Sequence, residues 1–291
     1  IVGAGPAGLE AARVAAERGH NVVVFEAQPD PGGQIRLTAQ SPRRREMISI
    51  IDWRMAQCAA HDVEFNFNRW AEANDVIDQN PDVVIIATGG MPNTELFETG
   101  KDSTQVVTSW DIIAGDVKPA DSILIYDESG DHAALQAAEV AVNAGAKVEI
   151  MTPDRTFSAG VMAMNLVPYM RSLQDKDTTF TVARRLLGVE RRGNKLEAQI
   201  GTDYSDHSNI QEYDQVVVNY GTLPLDELYF DLKDLSSNGG AVDHDALINA
   251  QTQNIVKNSD GEFQLFRIGD AVSARNTHAA IYDALRLLKD I

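Results

Sequence analysis

The sequence predicts an α/β protein built from two domains of the same strand–helix–strand type. Two observations carry the prediction. The chain opens on a strand, a glycine-rich turn, a helix and a second strand, and the same pattern returns about 126 residues later. At 291 residues there is also enough chain for two separate cores.

The first unit starts with Ile1-Val2, the end of a buried strand, running into Gly3-Ala4-Gly5-Pro6-Ala7-Gly8. Leu9 to Arg18 reads as a helix rich in alanine, with Gly19 placed to cap it. Asn21 to Glu26 is a second buried strand, and it ends in an acid. In this pattern Gly3 permits the tight turn, Gly5 lets the backbone approach a pyrophosphate, and Gly8 lets helix and strand pack closely. The helix N-terminus faces the phosphates and Glu26 accepts from ribose hydroxyls. Strand, helix, second strand and acid in register make this far more specific than a lone GxGxxG.

Ala27 to Gln34 is a turn-rich loop, and its paired Gly32-Gly33 allow the backbone to pass close to a flat ligand. Arg36 and the run Arg43-Arg44-Arg45 follow. On an otherwise acidic chain the run reads as a solvated helix start, with phosphate neutralisation as the alternative. Met47 to Ala60 is an amphipathic helix and Val63 to Asn68 alternates like a strand. Trp70, just after it, is either a stacking platform for an adenine ring or a core residue. Pro81 to Gly90 is another buried strand, ending in Ala87-Thr88-Gly89, and Thr108 to Gly115 a short helix. Lys118 to Asp121 reads as a linker.

The second unit has a strand at Ile123–Tyr126, a helix over about Ala133–Asn143, a capping Gly145 and a strand at Lys147–Met151. Aligning Gly145 with Gly19 places Ser129, Asp131 and Ala134 opposite Gly3, Gly5 and Gly8, and Thr152 opposite Glu26. The second copy has lost every phosphate-binding glycine. Asp131 sets a carboxylate where a pyrophosphate approaches backbone amides, so this copy is read as a structural relic. Thr178 to Glu190 and Lys195 to Ile200 suggest a small β-meander, and Tyr213 to Gly221 echoes the earlier strand that ends at Gly89. The stretch around Asp231–Ala250 is read as the return to the first domain. Phe263 to Asp270 is a strand ending in Gly269-Asp270, followed by a helix from about Thr277 to Asp290. Asp270 can bond a sugar-like chain while the helix start faces a ring carbonyl or phosphate; the alternative is a turn or N-cap residue.

The net charge of −18 argues against nucleic acid and anionic membranes as partners. No apolar run approaches the roughly 20 residues of a membrane span, and no signal-peptide pattern is present, so a cytoplasmic location is expected. The single cysteine, Cys58, excludes an internal disulfide, a CxxC redox pair and a cysteine-ligated cluster within this chain. It reads as a buried thiol. The chain begins inside a strand without an initiator Met, so a preceding segment is expected. No residue reads as a general acid, a nucleophile or a metal ligand.

Gly3–Gly8, Glu26, Pro31-Gly32-Gly33-Gln34, Ala87-Thr88-Gly89 and Gly269-Asp270 occur in an order that resembles the two-dinucleotide-domain flavoproteins of the glutathione reductase type. The resemblance implies two Rossmann-like three-layer domains for FAD and NAD(P). The first, residues 1–117 and 227–291, is discontinuous, with a degenerate NAD(P)-binding-like domain, 118–226, inserted into it. More narrowly, the segment Ile123 to His132 and the ending Gly269 to Ala284 are most similar to the C-terminal half of the old-yellow-enzyme-like iron–sulfur flavoproteins. That family includes 2,4-dienoyl-CoA reductase and the trimethylamine, histamine and dimethylglycine dehydrogenases and demethylases. There an N-terminal barrel carries FMN, a four-iron cluster and the substrate.

Carried onto this chain by motif, the resemblance implies FAD, or only ADP, at the first unit. Gly3, Gly5, Ala7 and Gly8 meet the pyrophosphate and Glu26 the adenosine ribose, with Pro6 and Ala27 as further cofactor-binding residues. Gly33 and Gln34 lie near the ribityl or flavin end, with Arg36 and Trp70 as further cofactor contacts. Thr88 and Gly89 flank the cofactor, Asp270, next to cofactor-binding Gly269, holds the ribityl, and Thr277, His278 and Ala279 lie near the ring, His278 as a ring-facing donor. Three functions follow. The first is the nucleotide-binding half of a flavin-dependent N-methyl amine dehydrogenase or demethylase, which passes electrons to an external electron-transfer flavoprotein. The second is an NAD(P)H-dependent reductase of the dienoyl-CoA type, and the third a non-catalytic ADP-binding module. Expected partners are a redox carrier and the barrel or a sister subunit, and a homo-oligomer stays open.

Overall fold

The computed structural model describes residues 1–94, 106–289 and 291. The chain runs through α1 (Pro6–Glu17), β1 (Val23–Phe25), α2 (Gln34–Thr38), α3 (Ser49–Ala60), β2 (Glu64–Asn66), α4 (Ala73–Ile77) and β3 (Val83–Ile86). There follow β4 (Gly90–Pro92), β5 (Val106–Thr108), α5 (Ser109–Ala114), β6 (Ser122–Asp127), α6 (His132–Asn143), β7 (Lys147–Met151) and α7 (Ala163–Gln174). Then come β8 (Thr178–Thr181), β9 (Arg185–Arg192), β10 (Lys195–Thr202), β11 (Ser205–Tyr213), β12 (Gln215–Asn219) and β13 (Thr222–Pro224). The chain closes with α8 (Glu227–Lys233), α9 (His244–Ile248), β14 (Gln264–Arg267) and α10 (Thr277–Leu288). The expected final helix ends at Asp290, outside the described residues.

Two compact units result. The first holds Ile1–Ala39, Arg43–Met91 and Leu223–Ile291; the second holds Pro92–Thr222, with Gln40–Pro42 grouped to it. These divisions fall at 91/92 and 222/223, where the sequence suggests 117/118 and 226/227. The physical reason lies in β5, which pairs in parallel with β12, Val216 opposite Val106, and so draws the chain before Lys118 into the second sheet. The return likewise comes at β13, and the stretch Asp231–Ala250 lies wholly inside the first unit.

In the first unit Val2 bridges in parallel to both Phe25 and Ile86. It thereby joins the β2–β1 pair to the β3–β14 pair in one five-membered parallel arrangement with the N-terminal segment at its centre. Both faces are covered, which is why these strands read as continuous apolar runs. On one face Ile85, Phe266 and Ile268 pack under α1 and α10, through Ala7, Ala11, Ala280 and Ala284. On the other, Val84, Ile86 and Leu265 meet Tyr229, Leu232 and Val76. Helix α3 closes on α1 through Ile51 and Cys58 against Leu9 and Ala12. Buried Glu10 fixes that pair of helices, with Arg13 at 2.7 Å and Arg54 at 2.8 Å. Cys58 is fully buried, and burial pushes its thiol up to about 11, as expected for an inert core cysteine.

The second unit is a five-stranded parallel sheet, β5-β12-β6-β7-β8, and an antiparallel meander, β11-β10-β9. Leu124, Tyr126, Met151, Val216 and Val218 form one core with Leu186, Leu196, Ala198, Ile200 and Tyr213 of the meander side. The expected run Thr178 to Glu190 therefore splits. β8 extends the parallel sheet through Thr178 opposite Val148, and β9 belongs to the meander. The first helix starts at Pro6 instead of Leu9, because Gly5 caps it and proline is preorganised for the first helical position. The basic run Arg43–Arg45 lies in a 3-10 turn, Pro42–Ile48, that has no buried residue and precedes α3. Among the described residues no helix is long and apolar enough to cross a membrane.

Candidate functional site

The start of α1 is a helix N-terminus without a side chain to satisfy it. Gly5 is the N-cap, with φ −72° and ψ −177°; it makes no side-chain cap hydrogen bond, and the first turn contains no acid. The amides of Ala7 and Gly8 thus lie in a first turn with no intrahelical acceptor. The three glycines of the motif divide into two roles. A Cβ on Gly8 would lie 1.9 Å from the Gly3 carbonyl oxygen, and one on Gly3 would lie 2.4 Å from the Ala87 oxygen, so these two are packing glycines. A Cβ on Gly5 would meet nothing within 4 Å. Gly5 therefore borders open space, as a position reserved for an anion does. Gly33, at φ +50°, stands beside it, since its Cβ would come 3.5 Å from the Gly5 Cα. Gly5 and Gly33 form a cradle that side chains would fill, and this fits a pyrophosphate.

Glu26 is 9% exposed. Its Oε2 accepts from the Ala4 amide at 2.7 Å and its Oε1 from the Gln28 amide at 2.8 Å. Each oxygen keeps a lone pair for a ribose hydroxyl. The loop after it is pinned by the Gly32 amide donating to the Ala4 carbonyl at 2.8 Å. Gln34 Nε2 donates to Asp270 Oδ2 at 3.1 Å, joining residues 236 apart in sequence. Asp270 also accepts from the Arg275 amide at 3.2 Å, and partial burial raises its pKa. Gly269, at φ +62°, lies so close that a Cβ there would be 2.9 Å from the Ala7 Cβ. The structure thus brings Gly3, Gly5, Pro6, Ala7, Gly8, Glu26, Gly33, Gln34, Gly269 and Asp270 to one corner, with Ala27 next to Glu26.

Other sequence candidates are engaged differently. Trp70 is 63% exposed, so the core reading falls and a free ring face remains. Its segment is tied to the same loop, Arg69 N–H donating to the Glu26 carbonyl at 2.8 Å. Thr88 Oγ1 donates to the Leu225 carbonyl and Gly89 accepts from the Leu225 amide, so both hold the end of β3. Arg36 pairs with Asp30 at the surface. His278 is exposed and stacks on Tyr282. Asn276, missed in the sequence reading, accepts from the Ala279 amide at 2.9 Å and caps α10 together with its Thr277 start. An asparagine directly before a helical run is the signal that would have found it. Among the described residues no group of three or more His, Cys, Asp or Glu could hold a metal ion.

Comparison with known proteins places this geometry in context. A model for NAD(P)-binding Rossmann-like domains matches residues 1–59. Over its whole length the chain is 66% identical to a probable N-methylproline demethylase of Rhizobium meliloti and spans 43% of that protein. It is 41% identical, again over 100% of itself and 43% of the relative, to an N,N-dimethylglycine/sarcosine dehydrogenase of Chromohalobacter salexigens. Among solved structures, a complex of 2-naphthoyl-CoA reductase superposes with a TM-score of 0.80 at 25% identity, covering 100% of this chain and 39% of that one. The chain therefore spans about two-fifths of the length of these relatives.

Proposed function

We propose that this chain, a relative of the N-methylproline demethylases and dimethylglycine dehydrogenases along its whole length, is the FAD-holding part of a flavin-dependent oxidoreductase acting on N-methyl amines. One observation carries the nucleotide assignment. The uncapped start of α1 opens onto the Gly5–Gly33 cradle, with Glu26 bonded to Ala4 and Gly269 against Ala7. When bound, the flavin supplies the redox chemistry. This chain's residues bind and orient it: the Ala7 and Gly8 amides take the pyrophosphate, Glu26 the adenosine ribose, and Trp70 offers its exposed face to the adenine. The Gln34–Asp270 pair is a second polar anchor, which an ADP ligand alone would not use, and it favours FAD over ADP. Residues 88–89, 277–279 and Arg36 complete the cofactor surround. Oxidation of the amine is assigned to an FMN and iron–sulfur part outside this chain, with an electron-transfer flavoprotein as acceptor.

The test is direct. Heat-release of nucleotide from the purified protein, identified by chromatography, is expected to give FAD and a flavin visible spectrum. Because amine oxidation is assigned outside this chain, anaerobic N-methylproline or dimethylglycine should leave the spectrum of this chain unchanged and bleach that of the full-length protein. A colourless protein releasing ADP would overturn the FAD assignment in favour of a non-catalytic ADP module. Bleaching of the full-length protein by NADPH and not by amine would favour an enoyl-type reductase.

A further inference from the structure

The second unit repeats the phosphate corner of the first, but its donors are already taken. Helix α6 begins on Asp131, whose Oδ1 accepts from the Ala133 amide at 2.8 Å. At the end of β6, Asp127 is 2% exposed and its Oδ1 accepts from the Gly130 amide at 2.9 Å. Asn219, from the end of β12, donates through Nδ2 to Asp127 Oδ1 at 2.9 Å and to Asp131 Oδ1 at 3.0 Å. The backbone carbonyl oxygen of Asn219 accepts from the Glu128 and Ser129 amides at 3.0 and 3.2 Å. Ser109 Oγ fixes the same amide group, donating to Asn219 Oδ1 at 3.2 Å, and Ser129 Oγ donates to Asp131 Oδ2 at 2.9 Å.

The amides of residues 128, 129, 130 and 133 therefore all have internal acceptors. The turn is also covered. The Gly160 amide donates to the Gly130 carbonyl at 3.0 Å, and a Cβ on Gly130 would come 3.3 Å from the Ala159 nitrogen. At the position of Glu26 stands buried Thr152, whose hydroxyl oxygen accepts from the Asp154 amide. Thr152 has no carboxylate to offer a ribose.

We infer that Asp127 and Asp131 are the residues that exclude nicotinamide nucleotides from the second unit, standing as internal acceptors on the amides a pyrophosphate would use. A diphosphate entering this corner would have to displace two carboxylates from satisfied donors and then lie beside their negative charge. Burial pushes Asp127 up to about 6, so it is still largely ionised at neutral pH. The inference concerns the second unit and stands apart from the FAD assignment of the first.

The experiment is peptide-resolved hydrogen–deuterium exchange on the purified protein, with NADH or NADPH added at millimolar concentration. Residues 127–135 report the second corner and residues 3–9 the first, so the two readings are separated in one measurement. Wild type is expected to show no protection of 127–135 with either nucleotide. The double variant Asp127→Asn/Asp131→Gly is expected to gain protection there, with apparent affinity at least about tenfold tighter than wild type. Asp131→Asn keeps an N-cap acceptor and removes only charge, so it serves if the double variant does not fold, as judged from exchange over β6 and β7. It too should gain affinity, by less. Protection of 127–135 in wild type overturns the inference. So does a folded variant with no gain.

Discussion

Gly5 and Gly8 are separated only by Pro6 and Ala7, yet alanine at each should give opposite phenotypes. At Gly8 the added methyl would sit 1.9 Å from the Gly3 carbonyl oxygen and 3.3 Å from the Ala87 Cβ. Gly3 cannot retreat, because it is itself closed in by the Ala87 carbonyl and holds φ +101°. Relief needs a shift of about 1 Å between α1 and the central strand, and overpacking of that kind costs about 3 kcal/mol or more. At Gly5 the backbone already has φ −72° and ψ −177°, which alanine adopts, and the space is open. Stability should change by less than about 1 kcal/mol, since a poorer N-cap is offset by a less flexible unfolded chain. The methyl would instead stand where the pyrophosphate approaches. Losing one charge-assisted hydrogen bond of about 1.5–3 kcal/mol weakens binding about 10- to 100-fold. Urea unfolding of the nucleotide-free protein and a titration with FAD or ADP read the two effects separately. Gly5→Ala with unchanged affinity, or Gly8→Ala with unchanged stability, would refute the assignment of roles.

Three further outcomes are expected. Glu26→Ala leaves the Ala4 and Gln28 amides without their acceptors, and should cost about 2–4 kcal/mol in urea unfolding even without nucleotide; an unchanged midpoint would show that water replaces the carboxylate. Cys58 should resist a thiol reagent at pH 8 in the native protein and react fully in denaturant, because its thiol is buried and raised to about 11. Asp127 has its folded-state pKa raised from 3.8 to about 6, so the native state holds the proton more tightly and stability falls as pH rises between those values. Asp127→Asn should therefore gain on wild type between pH 4 and pH 8 by up to about 3 kcal/mol, measured as a difference in unfolding free energy at the two pH values.

What the sequence made legible was local. Both strand–helix–strand units, the capping glycines Gly19 and Gly145 at φ +93° and +94°, and the strand Lys147–Met151 follow from residue period and turn chemistry. The burial of Cys58 followed from its apolar setting. What stayed hidden depends on residues far apart in the chain. The unit boundary is set by β5 pairing with β12, about 110 residues later. Asp127 looks like the polar end of a strand until Asn219, 92 residues on, is placed beside it. The Gln34–Asp270 bond and the exposure of Trp70 are equally invisible to period and propensity. The family resemblance connected the Gly3–Gly8 turn with Gly269-Asp270 across the chain, but the boundaries it implied differ from the observed division at 91/92 and 222/223.

The two helix starts pose one physical problem and answer it differently. α1 and α6 each have 12 residues and follow a parallel strand end, and each must satisfy the amides of its first turn. Asp131 takes the Ala133 amide of α6 and Asp127 takes the Gly130 amide of the turn before it, so these donors are satisfied without a ligand. Gly5 provides no side-chain acceptor, so the first corner leaves open the place that the proposed nucleotide would fill. By linkage, a nucleotide present at 100 times its dissociation constant adds about 2.7 kcal/mol to the stability of the unit that binds it and nothing to one that does not. The first unit should therefore gain protection from exchange when FAD or ADP is added, while the strands β6 and β7 of the second keep theirs unchanged. Equal stabilisation of β6 and β7 would mean that the carboxylates of the second corner do not close it. The duplicated scaffold thus presents one helix start without a side-chain acceptor, at Gly5, and one that carries its own, at Asp131.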